Sequence, residues 1–128
     1  MDVNGETLYV IDASFVVAHF LPDEANRRVD EYFSLFEEGE IDFISSTLLP
    51  FEVINGFKIA FSRKRIKLDQ FNECVKEFIN LRIDLIEAEF EKVAEVAIDT
   101  NLSIYDAAYL YLSQTTSFPL LSLDKHLR

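Results

Sequence analysis

Two kinds of hydrophobic pattern alternate along the chain. Short, uninterrupted apolar runs, of which 8–11 is the first, are typical of strands buried on both faces. Longer segments carry an apolar residue at every third or fourth position, as in Phe51, Ile54, Phe57 and Phe61, and this spacing is typical of amphipathic helices. The runs predict strands at 8–11, 42–45, 83–86 and 119–123. The periodic segments predict helices at 14–21, 24–39, 68–81, 88–99 and 104–114. A further helix is predicted to begin after a cap at Ser46 or Thr47 and to end at about Lys64. This alternation predicts an α/β protein with a mostly parallel sheet.

Length and composition fit one folded domain covering residues 1–128. Of the 128 residues, 49% are apolar and 13% are aromatic, which allows one hydrophobic core and excludes a disordered chain. The single cysteine, Cys74, cannot form an internal disulfide, as expected in a reducing compartment. The N-terminus does not resemble a signal peptide, and no apolar stretch reaches the length of about 18 residues that a membrane span needs. We therefore expect a soluble, cytoplasmic protein that does not enter a membrane.

Four of the 23 acidic residues stand out because each lies inside or at the end of an apolar stretch. Asp12 ends the first predicted strand and Asp124 ends the last, while Glu52 and Asp106 lie in the first turns of two predicted helices. Ligands of open α/β sheets bind beyond the carboxyl ends of the strands, so these side chains are placed to converge. A structural role also accounts for each acid singly, because acidic residues cap helices and complement the helix dipole.

Convergence of these carboxylates would require a cation. Two carboxylates about 5 Å apart repel each other by roughly 3 kcal/mol at an effective dielectric constant of about 20. Oxygen ligands without His or Cys select Mg²⁺ or Mn²⁺, and these ions neutralise charge and activate water in phosphoryl transfer. The acids therefore predict metal-assisted phosphate chemistry.

On four segments the chain resembles the PIN domain family, and within it the VapC-like toxins of prokaryotic toxin–antitoxin pairs. The segments are Tyr-Val-Ile-Asp-Ala-Ser at 9–14, Pro-Phe-Glu-Val-Ile-Asn at 50–55, Leu-Ser-Ile-Tyr-Asp-Ala-Ala-Tyr-Leu at 102–110 and Leu-Ser-Leu-Asp at 121–124. The third segment is the most specific, and the order and spacing of all four carry the resemblance.

The resemblance implies a fold, an activity and partners. The fold would be a three-layer α/β/α sandwich, and its sheet can be one edge strand short because only residues 125–128 follow the last motif. The activity would be that of a Mg²⁺- or Mn²⁺-dependent endoribonuclease. Because only four residues follow Asp124, we expect this fourth acid to be less critical than the other three. The implied partners are RNA, a cognate antitoxin and a second copy of the chain. The residues carried over are Asp12, Glu52, Asp106 and Asp124 as catalytic and metal-binding acids, with Ser14, Ser122 and Asn55 as supporting residues.

The basic residues are concentrated in one stretch. Residues 58–67 contain five of the chain's 12 bases and no acid, at the end of the helix that begins near Glu52. The stretch is a candidate RNA contact, although bases at a helix C-terminus also complement its dipole. The net charge of −11 argues against a general attraction for nucleic acid and leaves open an alternative, a non-catalytic acidic PIN-like module that binds proteins. The candidate RNA-binding residues are Arg63, Lys64, Arg65 and Lys67.

Overall fold

The computed structural model describes residues 7–127, and these form an α/β fold with six α-helices and four strands. The strands are β1 (Leu8–Ile11), β2 (Asp42–Ser46), β3 (Asp84–Ile86) and β4 (Leu120–Leu121). The helices are α1 (Ala13–Phe20), α2 (Arg27–Glu37), α3 (Leu49–Ser62), α4 (Leu68–Asn80), α5 (Phe90–Thr100) and α6 (Ile104–Thr116). All ten elements correspond to segments that the hydrophobic pattern predicts.

The four strands form one sheet in the order β3-β2-β1-β4, and every neighbouring pair is parallel. In the registers of the central strand, Tyr9 lies opposite Phe43 on one side and Ile11 lies opposite Leu121 on the other. The chain moves outward from β1 to β2 and β3, and then returns to place β4 on the other side of β1. The strand order therefore reverses between β1 and β4, and the carboxyl ends of these two strands form the crevice where α/β sheets bind ligands.

Side chains that alternate along β1 pack into different hydrophobic clusters. Tyr9 and Ile11 belong to the large cluster that includes buried residues of α1, α2, α3 and α4. Val10, between them, packs with Ile44 and with Leu112 of α6. Since successive strand residues point to opposite faces, α1 to α4 cover one face and α6, packed on α5, covers the other. The expected three-layer α/β/α sandwich is thus confirmed.

Several element ends differ from the sequence prediction. The hydroxyls of Ser46 and Thr47 do not cap α3, because the helix begins after Leu48, and Ser46 instead accepts the Leu48 N–H at 3.1 Å in the preceding turn. Helix α2 begins at Arg27 rather than at 24, because Pro22–Glu24 form a separate 3₁₀ turn and the Asn26 side chain caps the helix.

Strand β4 is shorter than predicted, since only Leu120 and Leu121 pair with β1. The two residues after Leu121, Ser122 and Leu123, leave the sheet and make side-chain and backbone contacts near Asp12 instead. Among residues 7–127, no helix has the length and apolar character needed to cross a membrane.

Candidate active site

The four singled-out acids lie on elements that meet near the crevice between β1 and β4. Asp12 directly follows β1, and Asp124 lies three residues beyond the end of β4. Glu52 lies in the first turn of α3 and Asp106 in the first turn of α6. The four carboxylates interact electrostatically. Asp124 raises the pKa of Asp12 and of Asp106, and both of these residues raise the pKa of Glu52.

Asp12 is the most buried of these acids, with 3% of its surface exposed. Its Oδ1 accepts the Phe15 N–H at 3.1 Å, which makes it the N-cap of α1, and also accepts the Ser14 hydroxyl at 2.7 Å. Its Oδ2 accepts the Ser122 hydroxyl in a short hydrogen bond. A carboxylate oxygen has two acceptor sites, so Oδ1 is saturated and Oδ2 retains one site for a cation.

Ser14 and Ser122 link the ends of β1 and β4 across 108 residues of sequence, with their hydroxyl oxygens 3.4 Å apart. Each hydroxyl donates to Asp12 and accepts a backbone N–H from the segment after β4. Ser14 accepts the Leu123 N–H at 2.9 Å, and Ser122 accepts the Asp124 N–H at 2.9 Å. The two serines therefore fix Asp12 and the backbone of Asp124 in one network.

Burial raises the pKa of Asp12 above its usual range, and the three hydrogen bonds that favour the ionised form do not offset this effect. Burial is also the largest cause of the raised pKa of Glu52 and of Asp106, and neighbouring carboxylates raise both further. A site in which ionised carboxylates destabilise one another is one that a cation would stabilise.

Glu52 is half-buried and hydrogen-bonded to an aromatic residue of α6. The Tyr109 hydroxyl donates to Glu52 Oε1 at 2.5 Å, and the Tyr109 side chain is buried in the large cluster formed with α1 to α4. Sequence reasoning did not single out Tyr109, although it lies inside the 102–110 motif. A signal was present, because Tyr109 lies three residues after Asp106 and so on the same helix face.

The other two acids are tied to local turns. Ser103 caps α6 by accepting the Asp106 N–H at 3.1 Å, which leaves the half-buried Asp106 carboxylate in the first helical turn. The Asp124 Oδ1 accepts the His126 N–H at 2.9 Å. Asn55 is exposed one turn after Glu52 and lines a surface depression with it.

The donor chemistry of these acids fits a hard divalent cation, since it consists of carboxylate oxygens with serine and tyrosine hydroxyls around them. No three His, Cys, Asp or Glu side chains between residues 7 and 127 are arranged as a ready-made ligand set. With one acceptor site left on Oδ2, Asp12 is the best prepared of these acids to bind such a cation.

The predicted basic stretch divides into paired and unpaired side chains. The Arg65 guanidinium binds both oxygens of Asp23 at 2.7 Å and Glu24 Oε2 at 2.7 Å, which lowers the pKa of Asp23. This network ties the 3₁₀ turn to the connection between α3 and α4. Arg65 is therefore committed to acids, and Lys58 donates to the Ser62 hydroxyl at 2.7 Å. The other three bases of the stretch, Arg63, Lys64 and Lys67, are exposed.

Exposed apolar side chains form a cleft beside the acids, which we name the apolar cleft. It is lined by Leu48, Phe51, Phe90, Ile104 and Tyr105, with smaller residues between them. Phe51 is 80% exposed and Phe90 is 86% exposed, which is unusual for residues of this size. Phe51 and Tyr105 also line the depression that contains Glu52. Contiguous exposed apolar surface is a common feature of interaction sites.

Comparison with known proteins agrees with this architecture. The chain is 25% identical over 122 residues to "Ribonuclease VapC3" of Pyrobaculum aerophilum, an alignment that covers 92% of this chain and 90% of the relative. Its fold is similar to the crystal structure of PAE2754 from Pyrobaculum aerophilum, with a TM-score of 0.75, 20% sequence identity and coverage of 94% of this chain and 77% of the other. The family model for the PIN domain matches residues 9–128. The chain therefore belongs to the PIN domain family.

Proposed function

We propose that the protein is a metal-dependent endoribonuclease and the toxin of a toxin–antitoxin pair. The observation that carries the proposal is the buried Asp12 carboxylate, which lies at the strand-order reversal and shares its electrostatic environment with Asp124 and Glu52. Membership of the PIN domain family supports a nuclease, and the name of the relative, Ribonuclease VapC3, supports RNA as the substrate. The toxin role rests on the family resemblance.

Asp12, Glu52, Asp106 and Asp124 would hold the ion, either Mg²⁺ or Mn²⁺. The bound ion supplies neutralisation of the phosphate charge and a lowered pKa of the attacking water. Asp12 is fixed by three hydrogen bonds and therefore acts as the rigid ligand. Asp124 is less buried than Asp12, and its carboxylate would orient the attacking water.

Ser14 and Ser122 would support this chemistry by donating hydrogen bonds that favour the ionised Asp12 carboxylate and fix its orientation. Substrate RNA would approach over Asn55, which is exposed beside Glu52, and over the exposed bases of the connection between α3 and α4. Phosphate contacts from these bases would offset part of the repulsion between RNA and an acidic protein.

The proposal is tested by cleavage of single-stranded RNA with Mg²⁺ or Mn²⁺ and with EDTA. Asp106→Asn should lower the rate at least about 100-fold, because the carboxylate would contact the ion or the reacting phosphate. Asp99→Asn is the matched control, since Asp99 is an exposed acid on α5 that also changes by one charge. Equal loss in both variants would indicate a general charge effect, and equal cleavage in EDTA would refute metal dependence.

The apolar cleft supports the proposed protein partners. A homodimer would cover exposed residues such as Phe51 and Phe90. An antitoxin with apolar and basic side chains would fit the cleft and the adjoining acids, because it could neutralise the same carboxylates that a cation would. If the cleavage test fails with every metal, this cleft favours the alternative function, a protein-interaction module.

A further inference from the structure

The hydrogen bond between Tyr109 and Glu52 joins two elements of the site that are far apart in sequence. The donor lies on α6 and the acceptor on α3, 57 residues away, and the oxygen atoms are 2.5 Å apart. Within residues 7–127, no other side chain is hydrogen-bonded to the Glu52 carboxylate. The orientation of Glu52 is thus determined by one phenol.

The phenol itself is held rigidly. Tyr109 is 1% exposed and packs in the large hydrophobic cluster, so its ring cannot rotate away without opening the core. The Tyr109 hydroxyl is protonated near neutral pH, because the ordinary pKa of a phenol is about 10. A protonated phenol can donate to a carboxylate, and this bond favours the ionised carboxylate.

Donation to Oε1 leaves the second oxygen of Glu52 without a side-chain hydrogen-bond partner in the part of the chain that the structure describes. A half-buried carboxylate with one oxygen fixed and the other available is oriented to bind a cation with the available oxygen. Groups that orient metal ligands in this way commonly change metal affinity by about 10–100-fold when they are removed.

We infer that Tyr109 is a positioning residue that holds Glu52 in the orientation needed to bind the divalent ion. The inference rests on the proposed metal-dependent function, and it goes further by assigning a role to a residue outside the acidic set. Tyr109 would not contact RNA or the reacting phosphate, because its side chain is buried.

The test is calorimetric titration of the purified protein with Mn²⁺, without RNA. Tyr109→Phe removes only the hydroxyl and should raise the dissociation constant about tenfold. Tyr111→Phe is the matched control, because it removes a tyrosine hydroxyl on the same helix that is paired with Glu89. The control should bind Mn²⁺ as the wild type does. Thermal unfolding in EDTA checks that both variants are folded.

A double-mutant cycle with Glu52→Gln separates positioning from a general structural effect. If Tyr109 acts through Glu52, then Tyr109→Phe should cause no further loss of Mn²⁺ affinity in the Glu52→Gln background. An equal further loss in that background, or wild-type affinity for Tyr109→Phe alone, would overturn the inference. Failure of the wild type to bind Mn²⁺ would instead refute the proposed metal site and the inference with it.

Discussion

Replacement of Asp12 by Asn should abolish activity and yet stabilise the metal-free protein. The carboxylate is buried, and burial raises its pKa more strongly than the hydrogen bonds from Ser122, Ser14 and Phe15 lower it. In the folded protein near neutral pH, the ionised form is therefore less favourable than in the unfolded chain. Asn resembles the neutral carboxylic acid in shape and removes this penalty.

The size of the effect follows from two opposing contributions. Each unit by which the folded-state pKa exceeds the unfolded one destabilises the ionised protein by about 1.4 kcal/mol. The Asn side chain keeps an oxygen for Ser14 and the Phe15 N–H, but its amide nitrogen cannot accept the Ser122 hydroxyl, so the amide must donate to Ser122 instead, at a cost of about 1 kcal/mol. Removal of the burial penalty should outweigh this cost, and each 1 kcal/mol of net gain would raise the unfolding midpoint of a domain of this size by about 4 °C.

The assay is thermal unfolding in EDTA at several pH values. The folded pKa of Asp12 is raised, so the penalty is fully present above that pKa and disappears as the pH falls through it. The advantage of Asp12→Asn should therefore be largest at about pH 7 and absent at about pH 4. In the same assay with Mn²⁺ in place of EDTA, the ion should stabilise the wild type and not the variant. A variant that is less stable than the wild type in EDTA at about pH 7 would refute the reasoning, because the hydrogen bonds would then outweigh the burial.

Three further predictions concern the residues around the acids. Ser122→Ala removes the hydroxyl that donates to Asp12 and accepts the Asp124 N–H. The free energy of unfolding, measured by urea titration, should therefore fall by about 2 kcal/mol, and a change under about 0.5 kcal/mol would contradict the proposed network. Lys64→Ser should weaken RNA binding and reduce the slope of log affinity against log salt concentration by about 0.7. Arg65→Ser should leave both quantities unchanged, because Arg65 is paired with acids. Equal effects of the two variants in fluorescence anisotropy would show that this pairing is not maintained in solution. Phe51→Ser should convert a homodimer to a monomer in sedimentation equilibrium, and an unchanged mass would show that the apolar cleft is not the dimer interface.

The sequence is sufficient to predict the architecture because local patterns determine it. Each predicted strand and helix is present, and the position of Asp12 at the end of the first apolar run places it at the carboxyl edge of the sheet. The contact of Ser14 with Asp12 is also local, since the two residues are two positions apart. The Ser122 contact follows from the family pattern rather than from spacing, because 110 residues separate it from Asp12.

Contacts between distant segments are what the sequence leaves open. In the sequence, Arg65 is an equally good candidate to bind RNA or an acidic side chain. Only the fold brings Oδ2 of Asp23, 42 residues away, to 2.7 Å from Arg65 Nε. Tyr109 is an ordinary core residue in the pattern, and only the folded structure brings its hydroxyl within 2.5 Å of Glu52 Oε1, 57 residues away. The apolar cleft cannot be predicted from the sequence for the same reason. Phe51 fits the helical pattern of core residues, but its side chain is exposed.

The central claim is that the carboxylates around Asp12 cleave RNA with the help of a divalent ion. The most direct measurement is digestion of an end-labelled single-stranded RNA by wild type and Asp12→Asn purified in parallel, each with Mn²⁺ and with EDTA. We expect cleavage products only from the wild type with Mn²⁺, and the EDTA lane should match the Asp12→Asn lanes. Equal cleavage in all four lanes, or none in any lane with Mn²⁺ or with Mg²⁺, would contradict the assignment.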